Sequence, residues 1–195
     1  MELVVGATGI LRTEICRLLT QAGRPVRALV RETSEPAKLG ALKELGVELS
    51  YGDLKDVASL HAATSGVDTV ITTASATLSR AEGDDLDSVD GRGTLALIDA
   101  AAAQGVRHFI YTSFANIDSD FPLQRKKREI EAVLEEGRVP WTILQPTHFL
   151  EVWFSPALGL DVAAGKARVL GTGERPLHWV SFQDVARIAV AVAKA

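Results

Sequence analysis

The feature that most constrains this chain is a pair of glycines between a valine-rich run and a helical pattern, close to the first residue. Residues 3–5 are Leu-Val-Val, the run stops at Gly6, and apolar residues recur at helical spacing after Gly9. A short apolar run of this kind is typical of a buried parallel strand. Such a turn gathers backbone N–H groups at the positive end of a helix, and a glycine there leaves room for an anion. It predicts a loop that binds the pyrophosphate of a dinucleotide, the alternative being an ordinary strand–helix turn.

Arg12 stands where the usual dinucleotide fingerprint has its third glycine. That glycine permits close packing of the helix on the strand, so a long side chain should push the helix outward or turn away to solvent. Alternatively, its guanidinium reaches the phosphates. The sequence leaves both alternatives open. The candidate residues of this loop are Gly6, Thr8, Gly9, Ile10, Leu11 and Arg12.

The composition is that of one globular domain. The chain has 195 residues, 47% of them hydrophobic, and we assign residues 1–195 to a single domain. A net charge of −4 with mixed signs argues against a surface dedicated to nucleic acid or an anionic membrane. The single cysteine, Cys16, falls within the first helix and is predicted to lie in or beside the core.

The first predicted strand starts almost at the N-terminus, and no apolar run approaches membrane-spanning length. These features predict a cytoplasmic protein with neither signal peptide nor membrane span. The sequence leaves open whether it is a monomer or a homodimer.

Strand and helix patterns alternate along the first three quarters of the chain. Apolar or alternating runs occupy residues 3–5, 26–30, 47–51, 67–73, 107–112 and 139–144. Helical patterns lie between these runs: the first begins after Gly9, and the others span 36–45, 56–65, 93–104 and 122–136. This alternation predicts an α/β fold with a doubly wound parallel sheet, helices on both faces and strand order 3-2-1-4-5-6. The polar, acidic segment 77–90 is predicted to be a loop that is either functional or disordered.

The pattern loosens over residues 147–195, which we expect to contribute to the substrate side. Phe149, Trp153, Phe154 and Trp179 are concentrated there. They either line a pocket over the strand ends or fill a secondary core. The apolar helical pattern at 182–195 should pack against another element.

Several segments together carry a family resemblance: VGATG at 5–9, LVR at 29–31, GDL at 52–54, GVRHFIYTS at 105–113, KREIE at 127–131, WTILQP at 141–146 and VSFQDVA at 180–186. With them the chain resembles the NmrA-like group of atypical short-chain dehydrogenases/reductases, which bind NAD(P) on a Rossmann fold. It departs from that family at Arg12, and it stops where family members usually continue into segments that complete the substrate side. The resemblance therefore implies a shortened or compact member with an open substrate pocket.

The residue that follows the second strand bears on the choice of cofactor. NAD-binding proteins place an acidic residue about twenty residues past the glycine loop, whereas NADP-binding ones place an arginine there for the 2′-phosphate. Arg31 occupies this position, and a guanidinium matches a phosphate well. The sequence favours NADP over NAD, the alternative being a solvated surface arginine.

The resemblance implies further contacts with the cofactor. Asp53 and Leu54 would lie beside the adenine, and Thr73, Ala74 and Ser75 would follow the nicotinamide ribose. Small residues are also what any crowded strand end needs, so that second assignment has a structural alternative.

The catalytic question turns on the helix at 122–136. Typical short-chain dehydrogenases carry Tyr-x-x-x-Lys on one helical face, but Leu123 stands four residues before Lys127. Helical periodicity alone does not choose between Lys126 and Lys127. The resemblance favours Lys127 as the family's lysine and implies that Ser113 hydrogen-bonds a substrate carbonyl.

Two functions from different classes remain, with a third behind them. The first is an NAD(P)H-dependent reductase of a small carbonyl or conjugated substrate, supported by Lys127 and Ser113. The second is a non-catalytic protein that senses the NADPH/NADP ratio, and the third is an assembly factor that keeps the fold without a ligand. Loss of the tyrosine favours these last two. No metal site is predicted, because the histidines lack ligand spacing.

Overall fold

A six-stranded parallel sheet forms the centre of the computed structural model, which describes residues 1–6, 9–77, 79, 81–169, 171–174 and 176–194. The strands are β1 (Glu2–Val5), β2 (Val26–Val30), β3 (Glu48–Tyr51), β4 (Thr69–Thr72), β5 (His108–Thr112) and β6 (Trp141–Leu144). They lie in the order β3-β2-β1-β4-β5-β6, and every neighbouring pair is parallel. This is the doubly wound Rossmann order, so the predicted fold class and topology are confirmed.

The helices cover both faces of this sheet. They are α1 (Ile10–Gln21), α2 (Pro36–Glu44), α3 (Val57–Thr64), α4 (Thr94–Ala103), α5 (Pro122–Glu135), α6 (Leu150–Trp153) and α7 (Phe182–Lys194). Asp56 caps α3, since its Oδ1 accepts from the Ala58 N–H at 3.1 Å. Pro122 occupies the first turn of α5, where its missing N–H costs nothing.

Strand alternation divides the core into two apolar layers. On β1, Leu3 and Val5 face the layer that α3, α4 and α5 cover, whereas Val4 faces the layer that α1, α2 and α7 cover. Cys16 is fully buried in the second layer, as predicted. The helix α7 contributes Val185, Ala186 and Ala189 to that layer, which confirms that the last helix packs against other elements.

The prediction of a loop over residues 77–90 is wrong for the C-terminal part of that segment. Residues Leu86–Gly93 form a π-helical segment that leads directly into α4. Asp85 begins it with a reciprocal cap: its Oδ1 accepts from the Ser88 N–H at 2.6 Å, and the Ser88 hydroxyl accepts from the Asp85 N–H at 2.9 Å. A π-helix lacks the 3.6-residue period, so apolar spacing could not reveal it, and such segments are frequent at functional sites.

Small elements follow the main sheet. The two-residue strands β7 (His148–Phe149) and β10 (Trp179–Val180) pair in parallel, and β8 (Leu160–Asp161) pairs antiparallel with β9 (Lys166–Ala167). The rings of His148, Trp153 and Phe154 all contact the Trp179 ring or one another at centroid distances of 4.7 to 6.3 Å. Within the described ranges, no helix is both long enough and apolar enough to cross a membrane.

Candidate cofactor-binding site

A cavity opens at the carboxyl ends of β1, β2, β3 and β4. Strand order reverses between β1 and β4, because β1 connects outward to β2 while β4 lies on its other side. Open α/β sheets bind ligands at such a reversal. The cavity is lined by Val5, Gly6, Arg12, Leu29, Arg31, Gly52, Asp53, Leu54, Ala74, Ser75, Asp84 and Val89.

The glycine turn at this cavity holds the Arg12 side chain. Gly6 has a φ of +76°, in the left-handed region that favours glycine, and Gly9 precedes α1 without a side chain to cap it. A Cβ at Gly6 would overlap Arg12 Nη1, and one at Gly9 would lie 2.6 Å from Arg12 Nη2. The guanidinium therefore fills the space that the two glycines leave open. The prediction that this side chain turns away to solvent is wrong.

Among the residues that the structure describes, no acidic side chain forms an ion pair with Arg12. Burial, followed by the charge of Arg31, lowers the pKa of Arg12 to about 10. Its Nε is buried and has no hydrogen-bond partner among the described residues. An unpaired buried donor beside a helix N-terminus fits a phosphate oxygen, so the residues present fit a dinucleotide.

Arg31 directly follows β2 and lines the cavity, where two carboxylates lie close to it. Its Nη1 donates to Asp84 Oδ2 at 2.6 Å and lies 3.9 Å from Asp53 Oδ2. Arg31 is therefore part of an ion-pair cluster in the cavity wall, with its side chain still 40% exposed. Asp53 also accepts the Lys55 N–H at 2.9 Å, which fixes the loop after β3.

The other predicted cofactor residues lie around the same opening. Leu54, Ala74 and Ser75 line the cavity, and Thr73 precedes them at the end of β4. Ile10 is exposed at the start of α1, whereas the Leu11 side chain is buried in the core, so only its backbone could meet a ligand. Thr8 lies outside the described residues.

Lys127 lies on α5, deeply buried at the end of β5. Its Nζ is 3.3 Å from Asp90 Oδ1, donates to the Thr112 carbonyl at 3.5 Å and lies 4.9 Å from the centre of the Tyr111 ring. Burial lowers the pKa of Lys127, Asp90 opposes that shift, and Arg12 adds to it. Lys126, by contrast, is only partly buried and pairs with Asp87 and Glu129.

Tyr111 and Ser113 flank Thr112, whose carbonyl accepts from Lys127. Ser113 is buried directly after Thr112, at the carboxyl end of β5, and its N–H donates to the Leu144 carbonyl at 2.8 Å. Burial, with the charges of Asp90 and Glu131, raises the pKa of Tyr111, so its phenol is a poor proton donor at neutral pH. Leu123 stands where typical short-chain dehydrogenases have the catalytic tyrosine. Lys127 is a buried cation close to that position on α5.

Sequence reasoning missed three charged residues of the site. Lys55 and Asp84 join Arg31 at the cavity, and Asp90 holds Lys127 from the π-helical segment. The Asp90 carboxylate is fully buried, and its Oδ2 accepts from the Ala76 N–H at 2.8 Å. The only signal in the sequence was that the acidic segment is long, which cannot say which carboxylate turns inward.

The family model described as the NmrA-like family matches residues 3–195. The chain belongs to the NmrA-like family. It is 33% identical to an NAD(P)H azoreductase from Xenophilus azovorans over 97% of this chain and 62% of that protein. It is 34% identical to the photosystem II assembly factor Ycf39 from Trieres chinensis over 96% of this chain and 58% of that protein. The chain thus spans about three fifths of these relatives.

A solved structure gives the same picture of the fold. The NADPH-dependent quinone oxidoreductase QOR2 from Escherichia coli, solved in complex with NADPH, is 26% identical with a TM-score of 0.63. The match covers 80% of this chain and 53% of that one. The relatives therefore include named reductases and a named assembly factor, on a shared fold.

Proposed function

We propose that this chain binds NADP(H) along the cavity and acts as a reductase of a small carbonyl or conjugated substrate. The observation that carries this proposal is the cavity at the reversal of strand order, with the glycine turn and Arg31 at one end. The NAD(P)H-dependent relatives support the cofactor class. Arg31 supports NADP over NAD, because its guanidinium suits a 2′-phosphate.

The residues of this chain divide the work of binding. The glycine turn and Arg12 would hold the pyrophosphate, Asp53 and Leu54 the adenine, and Arg31 the 2′-phosphate. Thr73, Ala74 and Ser75 would follow the chain of the cofactor toward β5. When bound, the nicotinamide supplies the hydride.

Lys127 would supply the proton that a tyrosine supplies elsewhere. Because burial lowers the pKa of its ammonium, that group gives up a proton more readily than a solvated lysine does. Asp90 and the Thr112 carbonyl orient Nζ at the end of β5, beside Ser113, which would hydrogen-bond the substrate carbonyl. The charge of Arg12, in the glycine turn, also lowers the pKa of Lys127.

A second function has its own support. Leu123 stands four residues before Lys127, where typical short-chain dehydrogenases have the tyrosine, and this favours cofactor binding without turnover. The competing proposal is a protein that binds NADP(H) and reports its redox state without turnover.

NADPH and NADH titrations followed by nicotinamide fluorescence, combined with NADPH oxidation assays, test the proposal. The assays use aldehydes, quinones, enones and azo dyes with the wild type, Lys127→Ala and Lys126→Ala. We expect slow turnover by the wild type, little change in Lys126→Ala, and a loss of at least about a hundredfold in Lys127→Ala at saturating NADPH.

The double variant Lys127→Met/Asp90→Asn removes both buried charges and serves as the control for loss of fold. It should retain the wild-type circular dichroism spectrum while remaining inactive. A wild type that binds NADPH tightly yet oxidises it no faster than buffer would favour the sensor.

A further inference from the structure

The carboxylate of Asp84 occupies a site built from two cations and a hydroxyl. It accepts from Arg31 Nη1 at 2.6 Å and from Lys55 Nζ at 2.5 Å, and Ser79 also donates to it. The Asp84 side chain is 2% exposed, although it belongs to the otherwise exposed segment before the π-helical turn. Such burial of a carboxylate is costly unless it is paired, and here it is paired twice.

This donor set is the kind that holds a phosphate. Guanidinium, ammonium and hydroxyl groups converge on one pair of oxygens at a cavity wall, and charge-assisted bonds of this type are the strong ones in anion sites. Hydrogen bonds from Lys55, Ser79 and Arg31 outweigh burial, which by itself raises the pKa, and hold the pKa of Asp84 at about 2. Asp84 is therefore an anion at every working pH.

The charges within the ion-pair cluster itself balance before any ligand arrives. Arg31 and Lys55 carry two positive charges, and Asp84 and Asp53 carry two negative ones, with Asp53 Oδ2 at 3.9 and 4.0 Å from the two cations. A phosphate monoester, with a charge of about −1.5 to −2, would meet two carboxylates if it entered this cluster unchanged. Like charges at such distances repel, so one carboxylate has to leave.

We propose that Asp84 is a specificity-determining residue that occupies the 2′-phosphate subsite formed by Arg31 and Lys55, and that the phosphate of NADP(H) displaces it. The inference rests on the proposed dinucleotide site but not on turnover. It makes Lys55 a second cation of the subsite. It also means that Asp84 weakens the binding of NADPH but not that of NADH, because only the phosphorylated cofactor competes with this carboxylate. The preference for NADPH over NADH is therefore smaller than it would be without Asp84.

The variant Asp84→Asn removes the charge but keeps an oxygen that accepts hydrogen bonds. Glu82→Gln is the matched control, because Glu82 is an exposed acid in the same segment. The probes are adenosine 2′,5′-bisphosphate and adenosine 5′-monophosphate, measured by calorimetry. In Asp84→Asn the bisphosphate should bind at least about tenfold tighter, with the monophosphate unchanged within about twofold and Glu82→Gln like the wild type.

A measurement on the wild type tests the displacement directly. The Asp84 N–H donates to the Ala81 carbonyl at 3.2 Å, so amide hydrogen exchange reports on this segment. The bisphosphate should speed exchange over residues 81–85, and the monophosphate should not. This readout keeps the test valid even if Asp84→Asn does not fold.

Three results would overturn the inference. Weaker monophosphate binding in Asp84→Asn, without a gain for the bisphosphate, would mean that Asp84 accepts from a ribose hydroxyl. Equal changes for both probes would mean that Asp84 only ties the segment down, and unchanged or slower exchange with the bisphosphate would mean that nothing is displaced. A wild type that binds these probes but never oxidises NADPH would defeat the reductase proposal and leave this one standing.

Discussion

The candidate site has an outer end at the cavity wall and an inner end at the carboxyl end of β5. Each end pairs a buried carboxylate with lysine or arginine, but in different surroundings. At the outer end, Asp84 meets Arg31 and Lys55, whose side chains are 40% and 32% exposed. At the inner end, Asp90 meets Lys127, and these side chains are 0% and 5% exposed. The two carboxylates lie six positions apart in one segment. Solvent reaches the two cations of the outer end, whereas it hardly reaches either member of the inner pair.

The difference follows from the backbone that carries each carboxylate. Asp84 precedes the capped π-helical segment and has an irregular backbone around it, whereas Asp90 lies within that segment and pairs with Lys127 of α5. Ion pairs at low exposure are screened less and cost more to break than those that water reaches. We therefore expect the inner end to govern stability and orientation, and the outer end to govern which ligand binds.

The largest effect that could break this comparison is on stability. Asp90→Ala leaves the Lys127 ammonium buried and unpaired, which should lower the free energy of unfolding by about 3–5 kcal/mol. Asp87→Ala is the matched control, because Asp87 is 63% exposed and pairs with the neighbouring Lys126. It should cost no more than about 1 kcal/mol. Urea unfolding measures both, and similar losses in the two variants would contradict a special role for the closed pair.

The same contrast explains what the sequence could predict. The strand order, the helices on both faces and burial of Cys16 follow from periods of two and 3.6 residues, which record burial locally. Asp56 as a cap follows from local chemistry in the same way. Each of these features can be predicted from a few neighbouring residues.

The polar contacts of the site could not be predicted from neighbouring residues in this way. Arg31 and Asp84 are 53 residues apart, and nothing in either neighbourhood marks the pair. The π-helical segment has no apolar period to detect, and the conformation of Arg12 depends on space around Gly6 and Gly9. Lys127 was chosen over Lys126 only by resemblance, since the helical stripe passes close to both.

At the outer end, charge reversal should change ligand choice without destroying the fold. Arg31→Asp removes a cation from the proposed phosphate subsite and adds a third carboxylate beside Asp53 and Asp84. A charge-assisted bond contributes about 1.5–3 kcal/mol, so the Kd for NADPH should rise at least about tenfold relative to that for NADH. Fluorescence titration with both cofactors gives the ratio. Lys38→Glu, an exposed cation after the same strand, should change it much less, and equal losses of NADPH and NADH in Arg31→Asp would contradict the assignment.

The smallest expected effect concerns Arg12, which lies between the two ends and decides whether they form one site. Its guanidinium fills the glycine turn, its pKa is lowered to about 10 by burial and by Arg31, and its Nε has no partner among the described residues. A cation held in this way is unfavourable in the free protein and favourable once a pyrophosphate accepts from it. Arg12→Ala should therefore raise the melting temperature of the free protein slightly.

The same substitution should weaken NADPH and NADH equally, by about fivefold, because the pyrophosphate is common to both and about 1 kcal/mol of binding is lost. Arg17→Ala, on the exposed side of α1, controls for loss of a helical arginine and should change neither quantity by much. The direction of the change in binding separates the alternatives that the sequence left open. A ligand for phosphate gives a more stable free protein with weaker binding, whereas an obstruction gives a more stable free protein with tighter binding. Tighter binding in Arg12→Ala would mean that the guanidinium blocks the turn, and that the two ends meet only when it moves aside.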